Sequence, residues 1–135
     1  MEKEKPAYGG DQSVVYGYSR SQAKEDGFLV DVSKVALEAG LLPPVFITRL
    51  VYEQFVVVPE GVEAQDEAGR LWDILTMLGW AIRRDSSDTS RLSFQLYVRN
   101  SNDEAPALGT LVAECGPLDF DDPRPALTIM RPDED

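Results

Sequence analysis

The sequence contains no histidine and a single cysteine, Cys115. Histidine is the commonest general base, the commonest metal ligand and the usual partner of a serine or cysteine nucleophile. Without histidine, one thiol cannot form a zinc site of the usual Cys/His kind. Hydrolase triads and zinc deaminase sites are therefore excluded. Chemistry carried by carboxylates, lysine, tyrosine or a carboxylate-bound Mg²⁺ stays open.

Long apolar runs are missing as well. No run approaches the roughly 20 apolar residues that a membrane-spanning helix needs, and residues 1–6 lack the apolar centre of a secretory signal. The single cysteine cannot form an internal disulfide bond, which suits a reducing compartment. No glycine-rich phosphate loop is present, because Gly9-Gly10 is not followed by the required lysine. We therefore expect a cytoplasmic protein without cofactor or bound metal.

Basic residues are scarce: the chain has 13 of them against 24 acidic residues, which gives a net charge of −11. Residues 100–135 alone hold nine acidic and two basic residues. Direct nucleic-acid binding requires a basic surface that displaces counterions, and an anionic membrane repels an acidic chain. We expect neither of these partners and predict that the protein binds another protein.

What the chain does contain is the composition of one globular domain. Its 135 residues, 43% of them apolar, are enough to bury a core without disulfide bonds or metals. We divide the chain into a flexible polar segment at 1–13, a single α+β domain at 14–131 and an acidic tail at 132–135.

Four helices are predicted from their start and stop signals. Three short helices begin at residues that can cap them, namely Ser19, Ser33 and Thr48. The first two end at Gly27 and Gly40. The longest helix is expected from Gln65 to Arg84, because apolar residues recur there at helical spacing. That apolar stripe consists of Leu71, Ile74, Leu75, Leu78 and Ile82.

Strands are predicted mainly in the C-terminal third. Residues 92–98 alternate apolar and polar side chains, and apolar runs follow at 108–115 and 127–130, after a shorter extended segment at 28–32. The stretch 116–125 is rich in turn residues and is interpreted as a linker. We expect an α+β fold in which short N-terminal helices and one long helix pack on a C-terminal antiparallel β-meander of three to four strands.

Trp80 is the most informative single residue. In the predicted long helix it lies about half a turn from the apolar stripe, beside Asp73. One interpretation is an exposed aromatic anchor for a partner, because tryptophan is enriched in binding hot spots. The other is that the helix is covered on two sides, which Gly69 and Gly79 favour because a glycine inside a helix suits close packing.

Tyr16 and Tyr18 are the second group of candidate partner-binding residues. They fall on one face of a short extended run at 14–18. With Arg20 they form either a polar and aromatic recognition patch or an ordinary half-buried strand face with solvated hydroxyl groups.

Asp119, Asp121 and Asp122 form an acidic cluster in the C-terminal third. Their closeness in sequence suggests a metal site, but they lack the ligand spacing of a calcium-binding loop. We therefore interpret the cluster as a solvated loop and keep its carboxylates as candidate partner-binding groups.

Several short motifs together resemble a family of small uncharacterised proteins carried by bacterial plasmids, integrated elements and phages. The resemblance covers most of residues 16–130 and is carried by Tyr18-Ser19-Arg20, Ala23, Asp26-Gly27, Leu29-Val30-Asp31-Val32-Ser33, Ala36, Ala39-Gly40, Pro44-Val45, Thr48-Arg49, Asp66-Glu67, Gly69-Arg70-Leu71-Trp72-Asp73 and Leu127-Thr128-Ile129-Met130. It implies a mobile-element accessory protein and assigns no functional residue.

Composition and candidate residues leave three functional hypotheses. The first is a non-enzymatic inhibitor or adaptor that blocks host nucleic-acid-binding defence machinery, of the anti-CRISPR or anti-restriction type, partly by presenting carboxylates where the target expects phosphates. The second is a carboxylate- or Mg²⁺-dependent enzyme that uses Asp31, Glu53 or Asp73. The third is a self-associating scaffold that uses an exposed sheet edge or Trp80 in a symmetric dimer. We favour a non-enzymatic protein-binding role.

Overall fold

The computed structural model describes residues 19–85 and 90–134. Its elements in chain order are α1 (Arg20–Glu25), β1 (Leu29–Asp31), α2 (Ser33–Glu38), β2 (Val45–Thr48), α3 (Arg49–Val51) with a following π-helical turn (Tyr52–Val56), α4 (Glu67–Arg84), β3 (Arg91–Val98), β4 (Ala107–Asp119) and β5 (Asp122–Met130). The α+β class expected from the sequence is confirmed. The N-terminal segment 1–13 and the extended run 14–18 lie outside the described residues.

The sheet has five strands in the order β1-β2-β5-β4-β3 and is mixed. The predicted meander is present as the antiparallel strands β3, β4 and β5. However, β2 pairs with β5 in parallel, and β1 pairs with β2 in antiparallel orientation. The prediction of a purely antiparallel sheet of three to four strands is therefore wrong in strand number and orientation. All four residues of β2 are buried, so the strand shows no polar alternation that would have indicated it.

The predicted capping chemistry is confirmed at Ser19 and Thr48 and is wrong at Ser33. Ser33 is the first residue of α2, which has no side-chain cap, and its hydroxyl accepts the backbone N–H of Val45 at 3.0 Å because it is turned toward β2. The cap side chains accept backbone N–H groups in three places, Ser19 from Gln22 at 3.0 Å, Thr48 from Val51 at 3.2 Å and Asp66 from Gly69 at 2.6 Å. Because Asp66 is the cap, α4 begins at Glu67, slightly later than predicted. The helix that Thr48 caps has one α-helical segment of three residues and then widens into the π-helical turn.

The main core lies between α4 and one face of the sheet. The large apolar side chains that α4 buries are Ile74, Leu75 and Leu78, and they pack in one cluster with residues of β2, β3, β4 and β5. Ile82, which was predicted to belong to the same stripe, is 40% exposed. A smaller cluster on the opposite face lies under α1 and consists of Ala23, Leu29, Phe46 and Ala126. The sheet is thus covered by α4 on one face and, over part of the other, by α1. Of the described helices, none has both the length and the apolar character required to cross a membrane.

The hairpin of β4 and β5 is longer than predicted, and the interpretation of 116–125 as a linker is wrong. Pro117 lies opposite Pro125 within the paired region. The backbone N–H of Cys115 donates to the carbonyl oxygen of Ser90, which lies on the β3 side of β4. Backbone groups alternate in direction along a strand, so Pro117, two residues later, also directs its nitrogen toward β3 and away from β5. Proline is tolerated at this position because no strand–strand hydrogen bond to β5 requires its missing N–H.

The end of the described chain packs back onto the fold. The side chain of Glu134 is buried, and its carboxylate accepts the Thr48 hydroxyl at 2.7 Å and the Arg131 backbone N–H at 2.8 Å. Thr48 therefore caps α3 and contacts the C-terminal segment at the same time. Within the segment predicted as an acidic tail, this carboxylate belongs to the packed structure.

Gly109 in β4 is a position where the packing leaves no room for a side chain. A Cβ atom built there would lie 2.5 Å from the Phe55 ring, which is buried in the core. We expect Gly109→Ala to lower the free energy of unfolding by about 1 to 3 kcal/mol through overpacking. Urea denaturation measures this change.

Gly79→Ala is the matched control for this prediction. A Cβ atom at Gly79 would meet the Leu41 side chain at 3.9 Å, which is an ordinary contact, and alanine favours helix more than glycine does. Gly79→Ala is therefore expected to be neutral or stabilising. Equal stability of Gly109→Ala and the wild-type protein would contradict the packing argument.

Candidate functional site

A groove runs between α4 and the edge strand β3. We call it the α4–β3 groove; it has a volume of about 460 Å³ and is lined by Asp73, Thr76, Met77, Gln95, Leu96, Tyr97 and Leu108. The helix and the strand run antiparallel. Arg70, near the start of α4, contacts Arg99, which directly follows β3, and the end of α4 precedes the start of β3 by only a few residues. Leu96 of β3 packs beneath α4, whereas the side chains of Gln95 and Tyr97 alternate onto the other face of the sheet, so these two residues line the groove from the strand edge.

The groove and its rim expose large apolar and aromatic side chains. Tyr97 is 69% exposed, and Met77 and Leu108 are exposed as well. Trp80 follows Met77 by one helical turn and is 52% exposed, with the Arg84 guanidinium 5.6 Å from the centre of its ring. Trp80 therefore lies on the open side of α4, and no second layer formed by residues 19–85 or 90–134 covers it. Its role as a partner anchor stays a prediction.

Asp73 is the acidic residue of the groove. Among the described residues, its carboxylate has no hydrogen-bond or ion-pair partner. Several other carboxylates of the fold do have such partners, as Glu114 has with Arg91 and Glu53 with Arg49. Asp73 is thus an unpaired charge beside exposed apolar side chains, an arrangement that suits recognition of a cation carried by a partner.

The backbone of β3 is open along one side. The N–H of Cys115 bonds to the carbonyl oxygen of Ser90, which fixes the even-numbered residues of β3 as those that hydrogen-bond to β4. Ser93, Gln95 and Tyr97 consequently direct their N–H and C=O groups away from the sheet. Within the described parts of the chain, no hydrogen bond satisfies these outward groups.

The two edges of the sheet differ in how they are protected. The edge strand β1 has only three residues, and a short strand offers little backbone for pairing. The edge strand β3 has eight residues, Arg91–Val98, without a proline, a lysine or a bulge. Proteins commonly block long edges with such devices, so the open edge of β3 is a surface that suits pairing with another strand.

Arg70 holds the groove in shape. Its guanidinium is buried and donates to the Val57 carbonyl oxygen at 3.1 Å, to the Asn100 side chain at 2.8 Å and to the Arg99 carbonyl oxygen. These bonds fix the start of α4 to the end of β3. Burial lowers the pKa of the Arg70 guanidinium, although arginine remains charged in proteins.

Tyr16 and Tyr18 lie outside the described residues. Arg20, which the sequence placed beside them, is buried and donates to the carbonyl oxygens of Leu118 at 2.9 Å and Pro117 at 3.2 Å. Its guanidinium also donates to the Thr128 hydroxyl. Burial lowers the pKa of Arg20, and the nearby Asp119 carboxylate opposes this effect. Arg20 thus joins α1 to the β4–β5 hairpin, and its head group is not available for an exposed recognition patch.

The three aspartates of the acidic cluster have different surroundings. Asp119 accepts the backbone N–H groups of Arg20 at 3.2 Å and Ser21 at 3.1 Å, and so holds the start of α1. Asp122 pairs with Arg124 at 2.7 Å, and the hydrogen bonds from Arg124 lower the pKa of the Asp122 carboxyl. Asp121 is exposed in the hairpin turn. Among the described residues, no group of three or more potential ligands could hold a metal ion.

The structure also separates the three acids considered for catalysis. Asp31 ends β1 and lies 3.7 Å from Lys24, Glu53 is in the π-helical turn, and Asp73 is on α4. They belong to three different elements and do not line one pocket among those of the described chain.

Sequence reasoning identified Trp80 but missed most of the groove. The lining residues that it missed come together only through the contact between α4 and β3; they are Thr76, Met77, Gln95, Tyr97 and Leu108. The signal that was available is the unprotected length of the strand at 92–98, which indicates an edge open to pairing once the strand is known to lie at the edge. Comparisons of this chain with protein-family models, with curated proteins and with solved structures found no match.

Proposed function

We propose that this protein is a non-enzymatic accessory protein that acts by contacting other proteins through the α4–β3 groove. The observation that carries the proposal is the open edge of β3, which is flanked by the exposed Met77 and Trp80 of α4 on one side and by the exposed Tyr97 on the other. Contiguous exposed apolar side chains mark interaction surfaces more often than isolated ones do, and aromatic residues dominate binding energies. An open edge adds main-chain hydrogen bonds to the same surface.

The net charge of −11 supports a basic protein as the partner that this protein inhibits. A charge of this size produces long-range attraction that increases the rate of association with a basic surface. Together with the resemblance to mobile-element proteins, it favours host nucleic-acid-binding defence machinery as the target class. In this proposal the protein inhibits such machinery as an anti-CRISPR or anti-restriction protein.

A binding assay with groove variants tests the proposal. The immobilised protein is exposed at physiological salt to untagged copies of itself and, separately, to purified CRISPR and restriction complexes. We expect the wild-type protein to retain at least one of these. The double substitution Met77→Lys and Tyr97→Lys is expected to reduce retention about tenfold or more, because it places charge on the apolar contact surface.

Leu37→Lys is the matched control, because Leu37 is 59% exposed on α2 and does not line the groove. It is expected to retain the same proteins as the wild-type chain. Retention of nothing by the wild-type protein, or equal retention by the wild-type protein and the double variant, would contradict a role of the groove in protein contact.

A further inference from the structure

Charged side chains lie at both ends of the α4–β3 groove. Near the end of β3 lie Asp73 of α4 and, in the connection to β4, Asp103 and Glu104. Near the start of β3 lie Arg83 and Arg84 at the end of α4. Among the described residues, none of these five side chains forms an ion pair. Arg99 also follows β3 and Asp85 caps α4, so the separation by sign belongs to the exposed flank of α4, which is negative at Asp73 and positive at Arg84.

A surface of this kind is complementary to itself in one orientation. If two copies face each other across a twofold axis, the negative end of each lies beside the positive end of the other. A twofold axis also places two identical β3 strands antiparallel. In that arrangement the outward N–H and C=O groups of Ser93, Gln95 and Tyr97 can pair with the same groups of the second strand.

We infer that a second copy of this chain occupies the edge of β3, so that two β3 strands pair antiparallel and form one continuous sheet with five strands from each copy. The inference rests on the proposed function, in which the α4–β3 groove is a protein-contact surface. It names the occupant of that surface and leaves the rest of the acidic exterior free for a further target.

The position of the apolar side chains supports the twofold arrangement. On α4, Asp73 and Arg84 are about 16 Å apart along the helix axis, and Met77 and Trp80 lie between them. An antiparallel pair of α4 helices therefore brings the apolar centres of the two copies together. It also places Asp73 of each copy beside Arg84 of the other.

Light scattering coupled to size-exclusion chromatography and sedimentation equilibrium, both at micromolar concentrations, measure the mass of the purified protein. We expect the wild-type chain to be a dimer. Gln95→Pro removes one outward N–H and no backbone bond to β4, although it also removes the hydrogen bond from the Gln95 side chain to Thr110, and we expect it to raise the dimer dissociation constant about tenfold or more. Gln95→Thr keeps the N–H and is expected to remain dimeric.

Charge-reversal variants test the same pairing independently of how well β3 tolerates a proline. Asp73→Arg and Arg84→Glu are each expected to raise the dissociation constant about tenfold, because each brings like charges together. The combined variant Asp73→Arg with Arg84→Glu restores opposite charges across the axis. It is expected to recover most of the affinity, which a general loss of folding could not produce.

Each outcome decides the inference. A monomeric wild-type chain, or a dimer that neither Gln95→Pro nor the single charge reversals weaken, would overturn it. A monomer that still retains a purified defence complex through Met77 and Tyr97 would overturn the self-pairing alone and leave the proposed function standing. A dimer that is weakened by these changes and recovered by the double reversal would support the self-pairing and the role of the groove in protein contact.

Discussion

Replacing the buried Arg20 by methionine is expected to lower the free energy of unfolding by about 3 kcal/mol. Methionine fills much of the same space but donates no hydrogen bond. The carbonyl oxygens of Pro117 and Leu118 and the hydroxyl of Thr128 would lose their donor in a region with little access to water. The contact between the guanidinium and the Phe46 ring, at 5.1 Å, would be lost as well.

Urea denaturation with a fitted m-value measures the effect of Arg20→Met. Arg124→Met is the matched control, since Arg124 is an exposed arginine whose partner, Asp122, is a near neighbour in the same strand. An exposed ion pair of this kind contributes little, so its midpoint is expected to equal that of the wild-type protein. Equal midpoints for both variants would show that the Arg20 hydrogen bonds do not stabilise the fold.

Arg70→Met is expected to have the second-largest effect, about 2 to 3 kcal/mol. The substitution leaves the carbonyl oxygens of Val57 and Arg99 without their donor and releases the start of α4 from the end of β3. Because these two elements form the walls of the α4–β3 groove, the change should also weaken self-association. Stability and oligomer mass are therefore measured on the same sample.

The control for Arg70→Met is Arg49→Met. Arg49 is exposed and forms its ion pair with Glu53 at 3.0 Å within one helical segment, far from the groove lining. We expect unchanged mass and a denaturation midpoint within experimental error of the wild-type value. Full stability of Arg70→Met would mean that the guanidinium is not required to join α4 to β3.

Local signals in the sequence were sufficient to place the helices, although the predicted cap at Ser33 is wrong. The caps Ser19, Thr48 and Asp66 each accept the N–H group of the residue three positions later, so the evidence for these helix starts is local in the chain. The periodic apolar residues of α4 likewise reflect one helix packing on one sheet. Such features depend on neighbours in the chain and can be read without knowledge of the fold.

The mixed sheet could not be predicted because its evidence is nonlocal. Val45–Thr48 is a short apolar run after two prolines, and a strand buried on both faces has no alternation to distinguish it from an extended link. In the β4–β5 hairpin, Pro117 and Pro125 were interpreted as signs of a linker. They lie instead at positions that need no N–H for strand pairing, which only the register reveals.

The same limit applies to the candidate site. Asp119 was placed with its sequence neighbours, yet the backbone groups it holds belong to Arg20 and Ser21, which are 99 and 98 residues away. Asp73 and Tyr97 share the α4–β3 groove only because α4 turns back along β3. The residue type of Trp80 was enough to single it out as a candidate for partner binding. The surface around Trp80 depends on the contact between α4 and β3, which the sequence does not show.

The position of β2 between β1 and β5 has a consequence for synthesis of the chain on the ribosome. The strand lies between β1, which precedes it, and β5, which is among the last segments to be made. A β1–β2 pair alone is marginal in water, and Arg20 must wait for Thr128, 108 residues later, before its guanidinium is satisfied. Nascent chains that stop before β5 should therefore stay unfolded and open to proteases, and the complete chain should fold slowly relative to helical proteins of its size.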